Sequence, residues 1–159
     1  NYVDLPDRVN VPLRKYARIS DEEIEERYEY ENANPEIVIL TDATIVKGMN
    51  VLRGMPKGGT LVVNTDRTPD DILKFVPNKE LLKQVVCVDA TAICGGHTVD
   101  FSGSEGGIDS VGIGAGVAAP ILGALVKGTK VVKLESLSKV VQNSEAMLKG
   151  YDQAQVKTL

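Results

Sequence analysis

Three short, unbroken apolar runs constrain this chain more than any other feature: Ile37-Val38-Ile39-Leu40, Leu61-Val62-Val63 and Val85-Val86-Cys87-Val88. A run without polar alternation suits a strand covered on both faces. Helical spacing fills the gaps between them. Ile45, Val46, Met49 and Leu52 follow the first run, and Ile72, Leu73 and Val76 follow the second. Strands that alternate with helices need crossover connections, so the sheet should be largely parallel. Val131–Leu134 reads as a fourth strand. A helix over 118–127, with Pro120 in its first turn, precedes it, and a closing helix over 137–149 follows.

The first thirty residues have another rhythm. Residues 13–20 and 24–30 alternate moderately around Ser20-Asp21-Glu22-Glu23, which predicts an antiparallel hairpin. Asn32-Ala33-Asn34-Pro35 then breaks the chain. The expected fold is α/β: a three-layer α/β/α arrangement with a largely parallel, mixed sheet and an N-terminal antiparallel hairpin. Its 159 residues suit one domain spanning 1–159. The chain opens on Asn1 rather than Met, so a processed chain or part of a longer polypeptide is expected.

Composition excludes several classes. A net charge of -4, with its basic residues scattered, gives no footprint for nucleic acid. No run approaches the ~20 apolar residues of a membrane span. No secretory leader is legible, so a cytoplasmic location is expected. Cys87 and Cys94 make no disulfide framework. Cys87, inside an apolar run, reads as a small buried hydrophobe.

Polar residues follow each strand. Asp-Ala-Thr occurs at 42–44 and again at 89–91, and Asn64-Thr65 ends the second run. That edge of an open α/β sheet is where ligands bind. Asp42 and Asp89 read first as helix caps and second as ligand contacts. Thr68 or Asp70 can cap a helix, and so can Asn78. Asp66, Asp70 and Asp71 read as helix N-terminal charge.

Residues 94–116 form a long stretch rich in Gly and Ser. Gly112, Gly114 and Gly116 invite a phosphate-cradle reading. The plainer reading is a loop followed by close helix packing, since Gly116, Ala118, Ala119, Gly123 and Ala124 leave room for a neighbouring backbone. Cys94 and His97 fall short of the four ligands of a structural zinc site, so no metal site is expected. Neither Ser102 nor Ser104 sits in a nucleophile elbow. Arg8, Arg14 and Arg18 are the arginines near the start. No catalytic residue can be assigned. Arg8, Asn64, Thr65, Gly112, Gly114 and Gly116 are the cofactor-binding candidates.

The ordered set of motifs resembles a known family. Pro6-x-Arg8, Pro12 and Tyr16-x-Arg18-Ile19-Ser20-Asp21 look like the hairpin region in gamma subunits of 2-oxoacid:ferredoxin oxidoreductases. Pro35–Leu40, Gly59–Thr65 and Val88–Thr91 are similar to that family's successive strands and turns. Leu122–Lys127 resembles its L-G-A-L-A-K helix, and Leu134–Leu137 its fourth strand and helix start. The family's first strand and G-R-G-G-Q-G loop have no counterpart in these residues. The family's E-R-x-G turn reads Asp7-Arg8-Val9-Asn10, and the loop at 94–116 is longer than usual.

The resemblance implies a gamma-type domain of an enzyme that oxidatively decarboxylates a 2-oxoacid and reduces ferredoxin. Pyruvate is the default acid, and oxalate the rival. Thiamine diphosphate and [4Fe-4S] clusters would be bound mainly by alpha-, beta- and delta-type partner subunits. Coenzyme A is a candidate ligand with no residue assigned to it. The domain would cover the active site, with loop 94–116 as its approach to the shared site. Two alternatives stand beside this: a free-standing nucleotide-binding module using Gly112–Gly116, and a non-catalytic scaffold.

Overall fold

The apolar runs assemble into one sheet. In the computed structural model, residues 14–25, 32–95 and 113–159 are described, the last segment with side chains from Val117 onward. Strands β1 (Ile37–Leu40), β2 (Gly59–Asn64) and β3 (Leu82–Val88) lie side by side and parallel, with Val38 opposite Leu61 and Val62 opposite Val86. Strand β4 (Gln155–Thr158) closes the order β1-β2-β3-β4 antiparallel to β3. The sheet is therefore mixed and mostly parallel, as expected.

Alternate side chains feed two cores. Leu61, Val63, Val85 and Cys87 face Val46, Leu52, Met55, Ile72 and Val76. Val62, Val86 and Val88 face Val117, Ile121, Ala124 and Leu125 on the other side. Helix α1 (Pro69–Leu73) lies on the first face; α2 (Ala90–Ile93) and α3 (Ile113–Thr129) lie on the second. Three layers result, because a sheet of continuous apolar strands must be covered twice.

A further helix, α5 (Ser144–Gln153), packs on the outside of α3. Two glycines make that contact close. A Cβ on Gly123 would stand 2.0 Å from the Met147 carbonyl oxygen, and one on Gly150 would stand 2.2 Å from that of Pro120. Gly123, one of the small residues expected to admit a neighbouring backbone, does so here.

Several local expectations need correction. Val131–Leu134 is not a strand; Leu134–Ser138 is a short helix, α4. Leu134, Leu137 and Val141 recur at helical spacing and pack against Ala119, Ala146 and Met147. A short apolar run does not by itself separate strand from helix. The closing helix expected over 137–149 is two helices, α4 and α5. Asn143 caps α5, its side-chain oxygen accepting from the Ala146 N–H at 3.0 Å. The actual fourth strand, β4, is half polar and short, which weakened its signal.

Helix α3 starts at Ile113 rather than 118, so Pro120 lies inside it and not in its first turn. After β1 the chain forms a 3-10 helix over Ala43–Lys47 and then turns. Asn78 precedes a 3-10 turn in left-handed conformation, without a side-chain cap. Residues 14–25 carry no strand, although a turn stands where one was expected, with Ser20 Oγ accepting from the Glu22 N–H at 3.0 Å. Most of the second hairpin arm, residues 26–30, lies outside the described residues.

Candidate functional site at the carboxyl edge of the sheet

The polar residues that follow the parallel strands meet at one edge. Asn64 is their junction. Its Nδ2 donates to the Thr41 carbonyl at 3.0 Å and to Thr91 Oγ1 at 3.1 Å, while its Oδ1 accepts from the Ala90 N–H at 2.9 Å. One amide thus joins the ends of β1 and β2 to the start of α2. The Thr65 N–H donates to the Val88 carbonyl at 2.9 Å, and Thr65 Oγ1 accepts from the Arg67 N–H at 3.1 Å.

The two Asp-Ala-Thr repeats do matching work. Asp42 Oδ1 accepts from the Thr44 N–H at 2.8 Å, and Asp89 Oδ1 accepts from the Ala92 N–H at 2.9 Å. Both cap the turns that leave the sheet, the first of their two expected roles. Capping fixes where the loop backbones leave the strands, and so sets the mouth of the cleft beside them.

That cleft encloses about 410 Å³ and is walled by Thr44, Lys47, Arg67, Phe75, Asp89 and Thr91, with Asn64 and Thr65 at its base. Lys47 Nζ stands 5.3 Å from the centroid of the Phe75 ring, a cation–π geometry. Two cations, several hydroxyls and an exposed aromatic ring equip the cleft for a polar ligand. They do not form a nucleophile and base pair.

The remaining candidates separate from this cleft. Gly114 and Gly116 lie in the first turn of α3, so their N–H groups belong to a helix terminus rather than to a loop. Arg8, Gly112, His97, Ser102 and Ser104 lie outside the described residues. Asp71 serves helix α1: Thr68 Oγ1 donates to it at 2.8 Å and Lys74 Nζ donates at 2.7 Å. The Lys74 ammonium, followed by the Thr68 hydroxyl, holds the Asp71 carboxyl below its ordinary range. Asp70 pairs with Lys157 of β4.

Cys87 is buried as expected, and burial pushes its thiol up to about 12. Cys94, at the end of α2, is half-buried, and burial raises its thiol also. Among the described residues no three His, Cys, Asp or Glu side chains gather to hold a metal ion. Sequence reasoning missed Lys47, Arg67 and Phe75. Arg67 follows directly on the Asn-Thr turn, and Phe75 is one of only two phenylalanines in the chain, so both had a usable signal.

The class defined by this geometry is a three-layer α/β domain with a polar cleft at the carboxyl edge of its parallel strands. The fold resembles a solved one, that of pyruvate oxidoreductase subunit PORC from Thermotoga maritima. The TM-score is 0.60 at 24% identity, covering 81% of this chain and 68% of that one. The chain belongs to the pyruvate ferredoxin/flavodoxin oxidoreductase family, whose model matches residues 10–152.

Among curated relatives, the common gamma subunit of pyruvate/ketoisovalerate oxidoreductases from Thermococcus litoralis is 26% identical over 138 residues, 87% of this chain and 65% of that protein. Pyruvate synthase subunit PorC from Thermotoga maritima is 29% identical over 162 residues, 92% of this chain and 73% of the relative. The gamma subunit of NADH-dependent phenylglyoxylate dehydrogenase from Aromatoleum evansii is 28% identical over 145 residues, 87% of this chain and 63% of that one. The chain thus spans just under two thirds of the first of these relatives. Among the described residues no helix is long and apolar enough to cross a membrane.

Proposed function

We propose that this chain is a single gamma-type domain of a multisubunit oxidoreductase acting on a 2-oxoacid, with ferredoxin as electron acceptor. The observation that carries the reading is the family match over residues 10–152, joined to relatives that are gamma or PorC subunits of such enzymes. Pyruvate is the substrate the relatives favour, with oxalate as the rival. The enzyme would work in the cytoplasm with alpha-, beta- and delta-type partners.

The chemistry of this chain supports a division of labour. An iron–sulfur cluster normally takes four thiolates. The chain has two cysteines, and Cys87 is held neutral and buried in β3. The described residues therefore do not fit a [4Fe-4S] cluster. No acidic cluster among them offers a place for the metal of a diphosphate cofactor. Thiamine diphosphate and the clusters are assigned to the partners, and no step of the reaction is routed through this chain's described residues. Coenzyme A is left without an assigned residue.

What this domain contributes is a wall. Asn64, Asp42 and Asp89 fix the loops at the carboxyl edge, and the cleft with Lys47 and Arg67 is the polar face it would present to the shared site. Asn64 and Thr65, candidates from the sequence, would act there by shaping the base of that cleft.

The test is purification of the tagged full-length protein from its native host. Co-purification with thiamine- and cluster-bearing subunits is expected, together with ferredoxin reduction that depends on pyruvate or oxalate. A chain that stays monomeric in native mass spectrometry of the cell extract contradicts the reading.

A further inference from the structure

The ends of α3 and α5 are closed by side chains from neighbouring elements. The last carbonyls of an α-helix have no partner within the helix itself. At the end of α3, the Gly128 carbonyl accepts from Gln84 Nε2 of β3 at 2.7 Å, and the same nitrogen donates to Thr60 Oγ1 of β2 at 3.1 Å. At the end of α5, Lys127 Nζ of α3 donates to the Asp152 carbonyl at 3.0 Å and to the Ala154 carbonyl at 2.9 Å. The Lys127 ammonium also stands 5.8 Å from the centroid of the Tyr151 ring.

These contacts form a closed ring. Gln84 fastens α3 to β3, and Lys127 fastens α5 to α3. Ala154 leads straight into β4, which returns to β3 with Thr158 opposite Gln84. The Leu159 N–H extends that pairing by donating to the Lys83 carbonyl at 2.9 Å. The two fastening side chains differ in kind. Gln84 is neutral, whereas Lys127 brings a full charge to the negative end of α5. Hydrogen bonds from a charged donor are roughly twice as strong as neutral ones. Asp152 and Ala154 lie on either side of the bend between α5 and β4, so one ammonium holds both sides of that bend.

We infer that Lys127 is a latch, whose charge holds α5 and β4 as a strap across α3 and along β3. Beneath the strap, Gly123 and Gly150 bring the two helix backbones together, so shape sets the seat and charge closes it. Strand β4 has four residues, and a ladder that short is marginal by itself. With the latch released, β4 separates from β3 while the parallel pairing of β1, β2 and β3 persists. The inference rests on contacts within this chain and is independent of the activity proposed above.

The test uses the full-length protein in its native assembly, with residue-resolved amide exchange as the readout. Lys127→Met keeps the reach of the side chain and removes its charge. It is expected to speed exchange of the Leu159 amide and of the paired β4 amides about tenfold, the scale of one charge-assisted hydrogen bond. The Thr60 amide, which donates to the Glu36 carbonyl on the far side of the sheet, should keep its parental rate. Lys127→Arg restores a cationic donor at the helix end and should bring the β4 amides back to within about twofold of the parent.

Parental exchange of β4 in Lys127→Met overturns the inference. Equal acceleration at Leu159 and Thr60 overturns it too, because that marks a general loosening of the fold. So does Lys127→Arg exchanging as fast as Lys127→Met, which would assign the hold to the shape of the lysine stem. Where Lys127→Met yields no folded chain, Lys127→Gln carries the test. The β4 amides should then exchange faster in Lys127→Gln than in Lys127→Arg, and equal rates reject the latch.

Discussion

The two outer strands expose their apolar side chains equally, yet they are built differently. Ile39 on β1 and Val156 on β4 are each 40% exposed. On β4 the valine alternates with Gln155, Lys157 and Thr158, and Lys157 pairs with Asp70 at the start of α1. The antiparallel pairing of β4 with β3 caps the parallel set on that side, and a charged residue discourages a further neighbour. On β1 the neighbouring positions are isoleucine, valine and leucine, with nothing charged in the strand. Exposure alone does not tell a charged edge from an uncharged one. The residues that alternate with the exposed one do.

Substitutions can break or sharpen this contrast. The largest effect should follow Gly150→Ala, which attacks the β4 side. The added carbon would meet the Pro120 carbonyl oxygen at 2.2 Å and its Cα at 2.4 Å, so α5 must lift from α3 and strain the lead into β4. A loss of about 3 kcal/mol is expected, at the upper end for overpacking, with chemical denaturation as the readout. The β1 side should be disturbed less, as judged by amide exchange in β1 and β2.

The second effect is on pH dependence and lies on β3, the strand that supports β4. Burial raises the Cys87 thiol from 9.0 to about 12. The folded value stands above the unfolded one, so this contribution is fully present below pH 9 and is lost as pH rises toward 12. Cys87→Val should flatten the fall in denaturation midpoint across that window relative to the parent. An identical fall in both proteins would contradict the burial argument.

Smaller effects test the anchoring of β4. Thr68→Ala removes the cap of α1, the helix that presents Asp70, and should cost about 1 kcal/mol. Lys157→Val deletes a largely exposed ion pair and should change stability by less than about 0.5 kcal/mol. It should, however, make the β4 edge resemble the β1 edge, seen as concentration-dependent association in sedimentation. Ile39→Lys is the mirror experiment. It should leave the stability of the chain nearly unchanged, because Ile39 is already 40% exposed.

The central strands were legible because each is a pure apolar run, and burial on both faces leaves no other pattern. The caps at Asp42 and Asp89 were legible because capping depends on local chemistry. The segment 131–141 misled because Val131, Val132 and Leu134 suit a strand until Leu137 and Val141 are read at helical spacing. Strand β4 was missed because an outer strand of four half-polar residues has little pattern of its own. For the cleft, Asn64 and Thr65 were visible as polar residues at a strand end. Arg67 and Phe75 had local signals, but their meeting with Lys47 was not legible, because it depends on how separate segments fold over the same edge.

The most direct test of the contrast is sedimentation of Lys157→Val beside the parent over a range of concentrations. Loss of the one charge on β4 predicts association that rises with concentration more steeply than in the parent. Identical sedimentation of the two proteins would show that the charge does not guard the β4 edge and would contradict the contrast.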